Sequence, residues 1–177
     1  MSYQQGRQPL DANGRTLVQL GMTVANSKIL SASGATANVP VFGITGSVLI
    51  NALYGVVTTA LGNNTAASWR LNDQTAQIAI TSVGGTTISA APTGSVIEKV
   101  GLAAAALTLK SSVAGAVLEP TTLETLLFSP FQVTQKTGGV ATNIEFNYTT
   151  SDTPTSGAIT FYVGYTPLSS DGAITAL

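Results

Sequence analysis

The segment Val48–Leu61 constrains the fold more than any other part of the chain, because it carries no charged residue over fourteen positions. A helix that spans a bilayer needs about twenty consecutive apolar residues. This run is shorter, and Asn51 and Gly55 interrupt it. The sequence therefore argues against a membrane span. The spacing of its apolar residues is compatible with either a buried helix or a strand.

Side-chain type favours the strand. The run is rich in β-branched residues, which suit a pleated surface better than a helix: Val48, Ile50, Val56, Val57, Thr58 and Thr59. No helix-capping pattern precedes it. Gly46 and the sequence Gly62-Asn63-Asn64 bound it, and these residues tolerate positive φ and end strands. We predict a buried strand that is bent or bulged at Gly55.

Two later segments show the alternation of a half-exposed strand. In "TNIEFNYT", Ile144, Phe146 and Tyr148 alternate with polar residues, and "GAITFYVGYT" alternates in the same way from Ile159 to Tyr165. The intervening "SDTPTSG" has the composition of a turn. We predict that the two segments pair as a hairpin.

Many short strands and no sustained amphipathic helix are expected. Eight further segments are predicted strands: Ala25–Ser31, Asn38–Ile44, Ala67–Leu71, Gln77–Ser82, Thr86–Ala90, Leu107–Lys110, Ala114–Leu118 and Gln132–Gln135. Residues 101–110 are also compatible with a short helix, and residues 120–130 with one helical turn. We predict an all-β fold, an antiparallel β-sandwich or jelly roll.

The chain divides into an arm and one domain. Residues 1–22 are polar, lack strand periodicity and contain several Gly and Pro residues, so we predict an extended N-terminal arm. Residues 23–177 show no internal repeat and no break in composition. We predict that they form a single β-sandwich domain.

Composition excludes several kinds of chemistry. The chain has no Cys and no His, which removes disulfides, the thiol nucleophile, the commonest general base and the commonest metal ligand. Only 8% of the residues are charged, and a free monomer with so little charge is prone to associate. The seven basic residues are scattered, so we expect no nucleic-acid partner. The first residues lack the apolar core of a signal peptide, and no membrane partner is expected.

Few acidic residues suggest a site. Glu119 and Glu124 are a candidate carboxylate pair for glycoside hydrolysis, although two solvated loop acids fit the same pattern better. The aspartates lie singly beside residues typical of turns, where we expect them to cap the turns: Asp11, Asp73, Asp152 and Asp171. No spacing selects a Ser and Lys pair as nucleophile and base. We predict no catalytic, cofactor-binding or metal-binding residue.

Aromatic residues are the better candidates for contacts. Trp69 could form a platform for a sugar ring, but a position in the core or in a subunit interface is the preferred interpretation. Tyr148 and Tyr165 share strand faces with aliphatic residues and are expected inside. Tyr162 lies on the opposite face, which makes it a candidate for a contact surface. Two glycosylation sequons, at Asn63 and Asn147, are interpreted as accidental.

Two segments resemble a known group of proteins. The sequences are "GSVLINALYGVVTTALGNNTA" and "SGAITFYVGYTPLSSDGAITAL", which together make up about a quarter of the chain. An early strand around Leu53-Tyr54-Gly55, a late aromatic strand ending at Tyr165-Thr166-Pro167-Leu168, and the pair Gly172-Ala173 resemble small structural proteins of tailed bacteriophages that decorate or cement the head.

The resemblance implies a non-enzymatic virion protein without cofactors. It would bind the major capsid protein on the outer surface of the head, usually as a homotrimer, and would stabilise the capsid after assembly in the cytoplasm of a host bacterium. An alternative keeps the sandwich but assigns it to a phage head or tail fibre as a receptor- or carbohydrate-binding module. Flat faces and an extended arm would favour the first function, whereas a cleft with an exposed aromatic floor would favour the second.

Overall fold

A computed structural model describes residues 22–30, 36–62, 64–82, 87–100, 105–110, 130–150 and 157–177. These residues contain no helix and form eleven strands: β1 Met22–Ile29, β2 Thr36–Thr45, β3 Ser47–Thr59, β4 Asn64–Asn72, β5 Gln77–Ala79, β6 Val96–Glu98, β7 Thr108–Lys110, β8 Phe131–Thr134, β9 Thr142–Thr150, β10 Ala158–Pro167 and β11 Ala173–Ala176. The predicted all-β fold is confirmed.

The described strands form two antiparallel sheets that enclose one core. The first sheet has the order β1-β10-β3-β6-β7, and β8 pairs with β3 beside β6. The second sheet has the order β11-β2-β9-β4-β5. The buried residues of β3 and β10 face those of β2, β4 and β9, as in a β-sandwich.

Aromatic side chains fill the centre of this core. The Trp69 ring on β4 lies 5.1 Å from the Phe146 ring on β9 and 5.1 Å from the Phe161 ring on β10, both in edge-on geometry. Phe146 and Phe161 are 5.0 Å apart across the two sheets. All three residues are fully buried. Burying each is worth roughly 1.5–3 kcal/mol, so this cluster joins the sheets.

The uncharged run is strand β3, as predicted, but the prediction of a bend or bulge at Gly55 is wrong. Gly55 is regularly paired with Phe161 on one side and with Ile97 on the other. The irregularities lie at Asn51 and Thr58, which the register with β10 skips. Gly55 is small for another reason: an added Cβ would lie 2.7 Å from Ile159 Cγ2.

The predicted hairpin of β9 and β10 is also wrong. β9 lies between β2 and β4 in the second sheet, and β10 lies between β1 and β3 in the first. Each strand has one apolar face, and the chain buries both faces by placing them opposite each other across the core. Turn composition marks where a strand ends, but it does not say whether the next strand joins the same sheet.

Most of the other strand predictions are confirmed with shifted ends, and some are not. Residues 87–90 of predicted strand Thr86–Ala90 form loop and turn, and Ala90 has a φ of 53°. The sequence did not predict β6 and β11, because strands of only three or four residues show little periodicity. Residues 108–110 are a strand rather than a helix. Met22 is part of β1 rather than of the predicted arm. Residues 1–21, 111–129 and 151–156 lie outside the described residues. The predicted strand Ala114–Leu118 and the candidate residues Glu119, Glu124 and Asp152 fall within these ranges.

Gly55→Ala is expected to destabilise the fold by about 1–3 kcal/mol, because its methyl group would overlap Ile159 and Phe161 in a close-packed core. Urea unfolding followed by circular dichroism measures the effect. Gly164→Ala on neighbouring β10 is the matched control, since its added Cβ would sit 3.4 Å from the Ala52 Cβ, an ordinary contact. Equal unfolding midpoints for the two variants would contradict this role of Gly55.

Candidate interaction surface

The outward face of the first sheet combines apolar and aromatic side chains with hydroxyl groups, and it has no covering layer among the described residues. The residues of β3 that point to the core are fully buried, and those that point outward are partly exposed. We call the outward side chains the tyrosine face: Thr23, Ala25, Ser27, Ile29, Leu49, Ala52, Tyr54, Val56, Val96, Glu98, Gln132, Thr134, Ala158, Thr160, Tyr162, Gly164 and Thr166. Glu98 is the one charged residue among them, and the adjoining strand β7 adds Lys110, which is paired with Val96.

Two tyrosines form the centre of this face. Tyr54 on β3 and Tyr162 on β10 are directly opposite in the register, and their rings stack with centroids 5.0 Å apart and an interplanar angle of 14°. Tyr162 was predicted as a contact residue from its phase in the strand. Tyr54 was missed because it lies in a run interpreted as buried throughout. The alternation along the strand could have identified it: Leu53 and Val57 point to the core, so Tyr54 points outward.

The smallest side chains of this face lie beside the two rings, and we call this place the hollow. Ala52 on β3 pairs with Gly164 on β10, one outward position along from Tyr54 and Tyr162. Thr23 on β1 pairs with Gly164 from the other side. Since Ala52 and Gly164 have the smallest side chains, the surface is lowered there while the adjacent ring pair projects. The tyrosine face therefore carries a projection and a depression next to each other.

Polar side chains cover the outward face of the second sheet and bind one another. The Arg70 Nε donates to Glu145 Oε2 at 3.0 Å, and the Asn72 amide donates to Glu145 Oε1 at 2.8 Å. Asn147 donates to Asn38 Oδ1 at 2.5 Å. We call this set the amide face: Thr36, Asn38, Ser68, Arg70, Asn72, Gln77, Glu145, Asn147 and Thr149. Such a face is stable in water without a partner.

An open polar depression of about 430 Å³ lies at the turn between β4 and β5. Its lining residues are polar or small, with no aromatic side chain: Asn72, Gln74, Thr75, Ala76 and Gln77. Asp73 forms this turn by accepting hydrogen bonds from the backbone N–H groups of Thr75 at 2.8 Å and Ala76 at 2.6 Å. The predicted turn-capping role of Asp73 is confirmed.

Trp69 is fully buried, so the preferred prediction of a core position is confirmed and an exposed sugar platform is excluded. Its Nε1 and the Arg70 Nη2 are buried without a hydrogen-bond partner. Tyr148 and Tyr165 are buried as predicted. Lys99 is also buried, and its ammonium lies 5.1 Å from the centre of the Phe131 ring.

The described residues contain no group of three or more side chains able to hold a metal ion. Nor do those residues include a helix long and apolar enough to cross a bilayer. Comparisons with protein families, curated proteins and solved structures found no match. The chemistry of its surfaces is therefore the basis for any functional proposal.

Burial lowers the pKa of Lys99, because the charged ammonium loses hydration in the fold. The unfolded chain then binds more protons than the folded one at pH values between the lowered pKa and 10.5, so stability rises with pH in that window. We expect the unfolding free energy of the natural protein to rise relative to that of Lys99→Met as the pH approaches 10.5. Chemical denaturation across this range measures it, and parallel pH curves would contradict the prediction.

The backbone N–H groups of Ala76 and Thr75 lower the pKa of the Asp73 carboxyl, with a smaller effect of Lys136. Its stabilising effect is therefore present above pH 3.8 and is lost as the pH falls toward the lowered value. We expect Asp73→Ala to unfold more easily than the natural protein at neutral pH, and the difference to shrink below pH 3.8. Thermal unfolding at several pH values measures this, with the exposed Thr45→Ala as a control that should show no such change.

Proposed function

We propose that this protein is a non-enzymatic structural protein of a tailed-phage virion that decorates and reinforces the capsid. The observation that carries the proposal is the tyrosine face, a sheet surface of apolar, aromatic and hydroxyl side chains around Tyr54 and Tyr162. Monomeric soluble proteins rarely expose apolar patches larger than a few hundred Å², and larger ones mark interaction sites. A face of this kind suits a protein that works in contact with other protein chains.

The segments that resemble phage decoration proteins lie together in the fold. The early strand is β3 and the late aromatic strand is β10, which are paired along most of their length. The late strand ends at Pro167, and Gly172 directly precedes Ala173, the first residue of the final strand β11. The resemblance therefore concerns the centre of one sheet and the strand that follows it, and this continuity supports the proposal.

A decoration protein works by burying area across the joints between capsid subunits. Burial of apolar surface contributes roughly 25 cal/mol per Å², and several linked contacts persist longer than one. In this proposal the major capsid protein is the partner, the virion surface is the location, and assembly takes place in the host cytoplasm. The sparse charge of the chain, 8% of its residues, suits a surface that neighbouring chains cover.

The alternative, a receptor- or carbohydrate-binding module, has less support. It calls for a cleft with an exposed aromatic floor, but the depression at the β4–β5 turn is lined by polar and small residues. Trp69 is buried in the core. The partly exposed aromatic pair, Tyr54 and Tyr162, lies on a sheet face.

The test is cosedimentation with purified phage heads that lack the protein. The full chain is expected to pellet with the heads, and a chain without residues 1–21 is expected to remain folded by circular dichroism but to stay in the supernatant. The truncation leaves β1 whole, since this strand begins at Met22. Thr45→Lys, a substitution at an exposed position, is the control and should pellet like the full chain.

Each result has a different consequence. Full binding by the truncated chain would remove the arm from the proposal and leave the folded domain as the part that binds. If the full chain fails to bind heads under any salt condition, the capsid proposal is wrong. Binding of the chain to host cell surfaces or glycans instead would support the alternative.

A further inference from the structure

We propose that the tyrosine face is the contact between two copies of this chain, which pack sheet against sheet around a two-fold axis. The proposal concerns self-association and does not depend on the capsid assignment. It starts from β3, which is apolar on both sides: Leu53 and Val57 point to the core, and Tyr54 and Val56 point outward. Strands apolar on both sides are typical of sheets that are covered on both faces. The described residues cover only one face of the sheet that contains β3.

The area of the tyrosine face agrees with that of a stable dimer interface. β10 has ten residues, and four strands lie side by side across the face because β6 and β8 both flank β3. At about 3.3 Å per residue and 4.8 Å per strand, the projected area is roughly 600 Å². Side-chain relief increases the accessible area above this value. A standard interface buries about 800 Å² on each partner, so one such face is sufficient.

The shape of the face is self-complementary. An isologous contact requires a projection and a matching depression on the same surface, because the two-fold axis brings each onto the other. Here the stacked rings of Tyr54 and Tyr162 project, and Ala52 and Gly164 form the hollow one outward position away. One row consists of the two rings, and the next row consists of Ala52 and Gly164. A two-fold axis that passes between these rows places the rings of each copy over the hollow of the other. Tyrosine is also among the residues enriched at the centres of interfaces.

Charge favours a second copy over an unlike partner. The four residues at the centre of the face, Ala52, Tyr54, Tyr162 and Gly164, carry no charge, and Glu98 is paired with Tyr54 on the side away from Tyr162. Glu98 on β6 and Lys110 on β7 have opposite charges, so this side of the sheet adds no net charge that would repel a second copy. Homodimer interfaces are more apolar than those of transient complexes.

The edge strand β1 directs its one charged side chain away from this contact. The Lys28 ammonium and the Asn26 amide donate hydrogen bonds to the Leu177 carbonyl oxygen, and the Asn26 amide also donates to the Val41 carbonyl oxygen. These bonds join the two sheets at their β1 and β2 side. The outward residues of β1 are Thr23, Ala25, Ser27 and Ile29, all uncharged and exposed, and Ile29 retains 77% of its accessible surface.

The experiment measures molar mass by light scattering and sedimentation velocity over a range of concentrations. The natural chain is expected to have twice its 17.9 kDa monomer mass. Ala52→Lys places a charge and a long side chain in the hollow, and we expect it to raise the dimer Kd by more than about tenfold. In the single copy that lysine can reach solvent, since Ala52 is only partly buried. Thr45→Lys, exposed on the other sheet, adds the same charge and should remain dimeric.

Circular dichroism and urea unfolding of Ala52→Lys show whether the domain is intact, and Tyr162→Ser is a second variant that removes a ring without adding charge. A monomeric natural chain would overturn the proposal. So would a three-chain mass, the state implied by the phage resemblance, or a dimer that survives both substitutions. The head-binding assay separates the two proposals, because a natural chain that binds heads but stays monomeric refutes only this one.

Discussion

The contact between the two sheets through Trp69, Phe146 and Phe161 is the interaction on which the rest of the structure depends. It brings one residue from each of three strands into a single cluster, and two of these strands lie in one sheet and the third in the other. Gly55 serves the same cluster, because its missing side chain leaves room for Phe161 and Ile159. Interiors are close-packed, so the small residue and the large ones form one fitted unit.

Packing this cluster inward leaves the two outer faces with opposite properties. On the second sheet, Glu145 is buried but accepts hydrogen bonds from Arg70 and Asn72, so the buried carboxylate is satisfied by its neighbours. On the first sheet, Ser27 and Thr160 are also hydrogen-bonded to each other, but the stacked rings of Tyr54 and Tyr162 remain partly exposed. One face is stable in water and the other gains free energy when it is covered. This asymmetry is the physical basis of both proposals.

Some of this arrangement was predictable. Alternation in β9 and β10 identified the strands, and Tyr162 could be assigned outward from its phase. The partners of those strands could not be predicted, because seven residues of turn composition permit a hairpin or a crossing between sheets equally well. Tyr54 was missed because the uncharged run that contains it was interpreted as buried on both sides. The turn-capping role of Asp73 was predictable, since its bonds to Thr75 and Ala76 are local in sequence.

The sequence by itself determined the class of fold, the inward and outward phase of the long strands, and the scarcity of groups able to catalyse a reaction. These follow from side-chain type and from a period of two, which are properties of neighbouring residues. The tertiary structure decided which strands pair, where the bulges at Asn51 and Thr58 fall, and that the described residues cover the apolar run on one side only. Those features depend on contacts between residues distant in the chain, which no local pattern records.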